Sequence, residues 1–269
     1  MRSLYDKAWH QLRSDRSRFK DDIDQEATPI LVFGQFNRAK IVTVGMNPSE
    51  REFRNQPKTG AIHGPPLSHG EQRFLHWPQD GKLTADLREL AFQRMGSYFT
   101  LGRSYKRWFD RYAPLLRGLS ADYESGAACH TDVVSPFATA RGIGNCKPET
   151  IESLKKFGGK LWVRTIEKIP RAELIFGCGS VRCSIQRLGI IQTWQEHETP
   201  FDKKGGKTKI PRPFLISAQA KLPVSGRPVI VFCWKPNMDG APLCWLNEVE
   251  SETLGNIVGK IARSKGFLN

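Results

Sequence analysis

Ile41-Val42-Thr43-Val44-Gly45-Met46-Asn47-Pro48-Ser49 decides the fold of this chain. Ile41 to Val44 are all β-branched, which suits a short strand buried on both faces, as in a parallel sheet. Gly45 closes the run, and Asn47-Pro48 turns the chain, because proline lacks an N–H for the ladder. Upstream, Pro29-Ile30-Leu31-Val32-Phe33-Gly34 reads as another strand. Downstream, Ala127 to Ser135, Glu173 to Phe176 and Val229 to Cys233 read as three more. Helical patterns lie between them. Thr84 is the N-cap of a helix with Leu87, Leu90, Ala91 and Met95 on one face, and a second helix spans Ser104 to Leu119, with Trp108, Phe109, Tyr112 and Leu116 inward. A third runs from Pro148 to Ile169, with Gly158-Gly159 expected to interrupt it, a short one ends near Leu188, and the last covers Glu248 to Arg263. With an N-terminal helical segment over about 1–25, the pattern predicts one domain over 1–269. Its class is α/β, a three-layer α/β/α sandwich with a mainly parallel central sheet. Ligands of such sheets bind beyond the C-terminal ends of the strands.

Composition narrows the partners. The 269 residues are 39% hydrophobic and 25% charged, enough apolar material for a full core. Lys and Arg total 41 against 27 Asp and Glu, a net charge of +14, which attracts polyanions. No run nears the roughly 18 apolar residues of a membrane span, and the N-terminus has no apolar signal region. The six cysteines include no C-x-x-C pair, and His63, His69 and His76 are not spaced as metal ligands. These features predict a cytoplasmic, metal-free protein without cofactor, nucleoid-associated if bacterial; a monomer is expected from the reading as a whole and not from these features.

Three strand ends carry unusual polar residues: Gly45-Met46-Asn47-Pro48-Ser49, His130-Thr131-Asp132-Val133-Val134-Ser135-Pro136, and Trp234-Lys235-Pro236-Asn237-Met238-Asp239-Gly240. Here the chain resembles the uracil-DNA glycosylase superfamily, in order and spacing from about residue 28 to 260. The first segment is similar to the G-[IM]-N-P water-activating motif of the mismatch-specific and single-strand-selective branches. The second stands where those branches carry a pyrimidine-reading Asn, and the third resembles a degenerate H-P-S loop.

The resemblance implies a monofunctional glycosylase that flips uracil, or another deaminated base, out of single- or double-stranded DNA and hydrolyses its N-glycosidic bond. Asn47 would position water, with Gly45, Met46, Pro48 and Ser49 around the base; an amide cannot take the water's proton, so the base would leave as an anion before water attacks. A plain strand-ending Asx-Pro turn is the alternative for Asn47. Asp132 stands in place of the reading Asn. Ionised, it accepts from uracil N3–H but repels O4; protonated by burial, it donates instead. His130 or Thr131 could replace it as reader, and a loop-capping carboxylate is the structural alternative. Lys235 stands at the family's His position, where it would hold charge on uracil O2, attack C1′ as an amine, or simply contact phosphate. Asn237 belongs to the same loop, and Met238 follows where the family inserts an apolar wedge. Phe53 or Phe74 would stack on the flipped base.

Backbone contacts would come from Gly179-Ser180 at a helix start and from Lys203, Lys204, Lys207, Lys209 and Arg212, a stretch without an acid. A catalytically inactive DNA-binding homologue is the first rival. A nucleotide-handling enzyme is the second, but neither phosphate-binding glycine motif occurs.

Overall fold

The computed structural model describes residues 1–55, 66–68, 71–101, 106–140, 142–201, 214–235, 243 and 246–268. Lys203, Lys204, Lys207, Lys209, Arg212, Asn237, Met238, His63, His69 and Cys244 lie outside the described residues. The centre of the fold is β1 (Ile41–Gly45), buried along its whole length. It pairs in parallel with β2 (Ala128–Asp132) on one side and β3 (Leu174–Cys178) on the other. Beyond β3 lies β6 (Pro228–Lys235), again parallel, followed by β5 (Phe214–Lys221) and β4 (Gln195–His197), both antiparallel. The protein is therefore α/β with a mixed, mostly parallel six-stranded sheet in the order β2-β1-β3-β6-β5-β4.

Helices cover both faces. In β2, His130 meets Phe109 of α3 (Lys106–Phe109) and Tyr112, the residue leading into α4 (Ala113–Gly118). The next residue, Thr131, points the other way and accepts a 2.9 Å hydrogen bond from Trp162 Nε1 of α5 (Pro148–Glu167). On the His130 face α4 packs against α7 (Glu248–Ser264), which opens with a reciprocal Asn247–Glu250 capping box. On the Thr131 face α5 contacts α1 (Arg2–Arg18) and α6 (Val181–Arg187). Thr84 caps α2 (Ala85–Gly96) as expected, its hydroxyl accepting from Leu87 N at 3.1 Å, whereas Leu90 of that helix is 39% exposed. Among the described residues no helix is long and apolar enough to cross a membrane.

Several expectations need correction. Pro29–Gly34 is not a sheet strand: it meets β2 at a single bridge, Phe33 with His130, and Gly34 at φ +96° ends it. Proline removes one donor and Ile30 N is drawn to Pro136 O, so the segment caps the edge of β2 instead of extending the sheet. The helix read over 104–119 is two pieces, because Pro114 can sit only in the first turn of a new helix. The Gly158-Gly159 pair does not interrupt α5. It lets the helix approach the loop after β2, where a Cβ at 158 would lie 1.8 Å from Val134 O. The hairpin partner β5 was not anticipated.

Candidate functional site

A cleft of about 910 Å³ opens at the C-terminal ends of β1, β2 and β3. Its floor is the Gly45–Glu52 segment with His130 and Asp132, and its aromatic walls are Phe33, Trp108, Phe109 and Tyr112. Parallel pairing aligns Gly45 with Asp132, so the two motif segments leave the sheet side by side. Backbone bonds carry the register past the strands: Val133 N donates to Gly45 O at 3.0 Å, and Val134 and Ser135 N both donate to Met46 O.

Asn47 lines this cleft, and its side chain is tethered. Nδ2 donates to Pro48 O at 2.8 Å and to Thr139 Oγ1 at 2.9 Å. Both amide hydrogens are thus engaged, and Oδ1 is left as an acceptor, the right polarity to orient a water. Ser49 Oγ accepts from Arg51 N at 3.2 Å and caps the single 3₁₀ turn Glu50–Glu52. Pro48 and Ser49 line the cleft too, as do Gly45 and Met46.

Asp132 is the end of a buried relay. Tyr123 OH lies 2.7 Å from Thr43 Oγ1, which lies 2.8 Å from His130 Nδ1, and His130 Nε2 lies 3.6 Å from Asp132 Oδ1. Counting hydrogens gives the relay a direction. Among the described residues Tyr123 OH meets no acceptor but Thr43, and the Thr43 hydrogen can go to Cys129 O at 3.4 Å or to His130 Nδ1 at 2.8 Å. The shorter contact, with Asp132 on the far side of the ring, favours the tautomer whose Nε2 proton faces Asp132. The Asp132 side chain is 4% exposed and Oδ2 has no partner. Burial pushes its carboxyl above the usual range, with His130 opposing. There is no room for a side chain opposite: a Cβ on Gly45 would sit 2.4 Å from Asp132 Oδ1. Thr131, turned to the other face, is not a reader of this cleft.

Glu52 was missed by sequence reasoning. It lines the cleft at 2% exposure, and Tyr98 OH donates to both its oxygens, at 2.8 and 2.9 Å. Arg73 Nε stands 3.9 Å from Oε2. The available signal was the placement of an acid one turn past the Asn47 motif and directly before Phe53. Around the cleft stand Glu50, Arg51, Arg111 and Lys155.

Other expected residues are placed apart. Phe53 and Phe74 are buried among Phe33, Tyr98 and His76 and do not line the cleft, so the aromatic surface offered to a ligand is that of Phe33, Trp108, Phe109 and Tyr112. Lys235 ends β6 with Nζ 5.7 Å from the Phe214 ring centroid and is not a lining residue either. Ser180 lines the cleft, but the Gly179 N–H beside it is already bonded to Trp234 O at 2.9 Å, leaving a poorer anion cradle than the sequence suggested. No protein-family model, curated protein or solved structure matches this chain.

Proposed function

We propose that this protein is a DNA glycosylase acting on uracil or another deaminated base, built on a three-layer α/β/α sandwich of the uracil-DNA glycosylase type and acting in the cytoplasm. One observation carries the reading: Asp132 Oδ2, buried and unpartnered, lines the same cleft as Asn47, whose amide hydrogens are both engaged. A buried polar atom without a partner is unfavourable by about 1–3 kcal/mol unless something supplies one. A neutral carboxyl offers one O–H and one acceptor oxygen, the same two senses as an amide, so protonated Asp132 pairs with O4 and N3–H of uracil together. The raised carboxyl is what this pairing needs.

In this reading the base lies against the aromatic wall of the cleft, where Trp108 is the half-buried member, and Asn47 Oδ1 holds the water that attacks C1′. The net charge of +14 favours a polyanionic substrate, whose phosphates the basic stretch 203–212 of the sequence and Lys235 would neutralise. The test uses labelled single- and double-stranded oligonucleotides carrying one uracil, with no added metal. Strand breakage only after alkali, lost in Asn47→Ala, supports the reading. DNA binding without an abasic product, from uracil or other deaminated bases, overturns it in favour of a non-catalytic DNA-binding protein.

A further inference from the structure

Resting on that hydrolytic reading, we infer that Glu52 is a catalytic residue of this cleft, the acceptor of the proton that the attacking water gives up. Asn47 can orient a water but cannot take its proton at neutral pH. Some other group must do so, and Glu52 follows Asn47 by one capped 3₁₀ turn into the same cleft.

The surroundings of Glu52 are unlike those of a structural acid. A carboxylate has about four lone-pair sites, and the Tyr98 phenol supplies a single hydrogen shared between the two oxygens. Arg73 at 3.9 Å is too far for a hydrogen bond. Tyr98 itself is stacked on Phe74, with centroids 5.1 Å apart, and lies edge-on to Phe33, Phe99 and Phe109, so the carboxyl is held in an aromatic, weakly polar setting. Acceptor capacity is left over on a group whose position is fixed.

Burial pushes the Glu52 carboxyl from the ordinary 4.5 up to about 7, with the Asp132 charge adding to the rise and Tyr98 and Arg73 opposing it. A proton acceptor poised near neutral pH is the most effective kind there. The charged or titratable groups facing it are Tyr98 past the end of α2, Arg73 in the loop, and Asp132 of β2 with His130 behind it. Glu50, Arg51, Arg111 and Lys155 complete the set around the cleft. The step balances simply. The C1′–N electron pair departs with the base, the water oxygen bonds to C1′, and its proton goes to Glu52 and then to the base anion.

The experiment measures base release from a uracil-containing oligonucleotide between pH 5 and 9. Glu52→Gln keeps an acceptor for Tyr98 but cannot take a proton. It is expected to lower kcat about 100-fold or more with KM nearly unchanged, and to lose the acid limb near pH 7. Tyr98→Phe removes a hydrogen bond to the charged form, so its acid limb moves to higher pH while the alkaline rate is kept. That shift carries the test even if Glu52→Gln fails to fold. An active parent whose rate and acid limb are unchanged by both substitutions overturns this inference alone. A parent that releases no base overturns the glycosylase reading as well.

Discussion

Asp24 and the pair formed by Asp132 and Glu52 are all buried acids, yet their partners differ in kind. Asp24, fully buried, receives Arg54 Nε on both oxygens at 2.9 and 3.0 Å and Glu26 N at 2.9 Å. Asp132 has an imidazole at 3.6 Å and an orphaned oxygen, and Glu52 has one phenol hydrogen with Arg73 Nε 3.9 Å away. The first arrangement is what a protein builds to hold a loop: a charge taken out of water and compensated in full. The second leaves acceptor capacity unfilled beside a cleft, where a ligand can fill it. Satisfaction of the charge, and not burial, separates the structural carboxyl from the two that the proposed function uses.

The clamp should therefore break by unfolding and the cleft by loss of chemistry. Arg54→Leu strands the Asp24 charge and is expected to destabilise the fold by about 3–5 kcal/mol, read from urea or thermal unfolding. A loss under 1 kcal/mol would erase the contrast. Glu52 runs the opposite way. Its carboxyl is raised from 4.5 to about 7, so the folded state holds the proton more tightly than the unfolded one, and stability falls as pH rises from 4.5 through 7. The fall is on the order of 3 kcal/mol. Glu52→Gln should abolish that slope and leave the protein more stable than its parent at pH 8, though poorly active. Matching pH–stability curves for the two proteins would show that Glu52 is not the raised group.

A subtler split lies within the cleft pair. Asp132 and Glu52 oppose each other's ionisation, so the pair loses its protons in two steps that belong to both. The Asp132 charge is among the causes that raise Glu52, so without a ligand the shared proton sits on Glu52. In the proposed function, uracil O4 draws that proton onto Asp132, and a neutral reader beside an ionised base is the active state. Activity should then follow a bell. Asp132→Asn supplies both hydrogen-bond senses without a proton, and should cleave uracil within about tenfold of the parent at neutral pH while losing the alkaline limb. An alkaline limb that persists in Asp132→Asn would place it elsewhere.

The sequence showed the floor of this cleft more clearly than its walls. Ile41–Val44 is a run of β-branched residues, and Asn47-Pro48 ends it by a backbone rule, so both were visible locally. Glu52 was not, because a Glu in a polar, irregular stretch reads as solvated. What buries it is Tyr98, 46 residues away, and no local pattern reports such a contact. The stacking assignment failed for the same reason. Phe53 and Phe74 were chosen for nearness in the chain, whereas the cleft aromatics come from the segment beside β2 and from the α3–α4 junction. β5 escaped because Ser217, Ala218, Gln219 and Ala220 carry little strand character, and it is pairing with the apolar β6 that holds them extended.

The smallest expected effect tests the relay that aims Asp132. Tyr123→Phe removes the hydroxyl that donates to Thr43 but leaves Thr43 able to donate to His130 Nδ1. One neutral hydrogen bond is lost and no charged group is stranded, so destabilisation should be about 1 kcal/mol, with base release nearly unchanged. Thr43→Val differs in kind although it removes an equally small group. Nδ1 loses its donor and must take the proton itself or stand bare, so Nε2 no longer has to present a hydrogen to Asp132. The alkaline limb should then shift in Thr43→Val and stay in place in Tyr123→Phe. Equal limbs in the two variants would mean that His130 keeps its tautomer without the relay, and that Asp132 is aimed by the walls of the cleft alone.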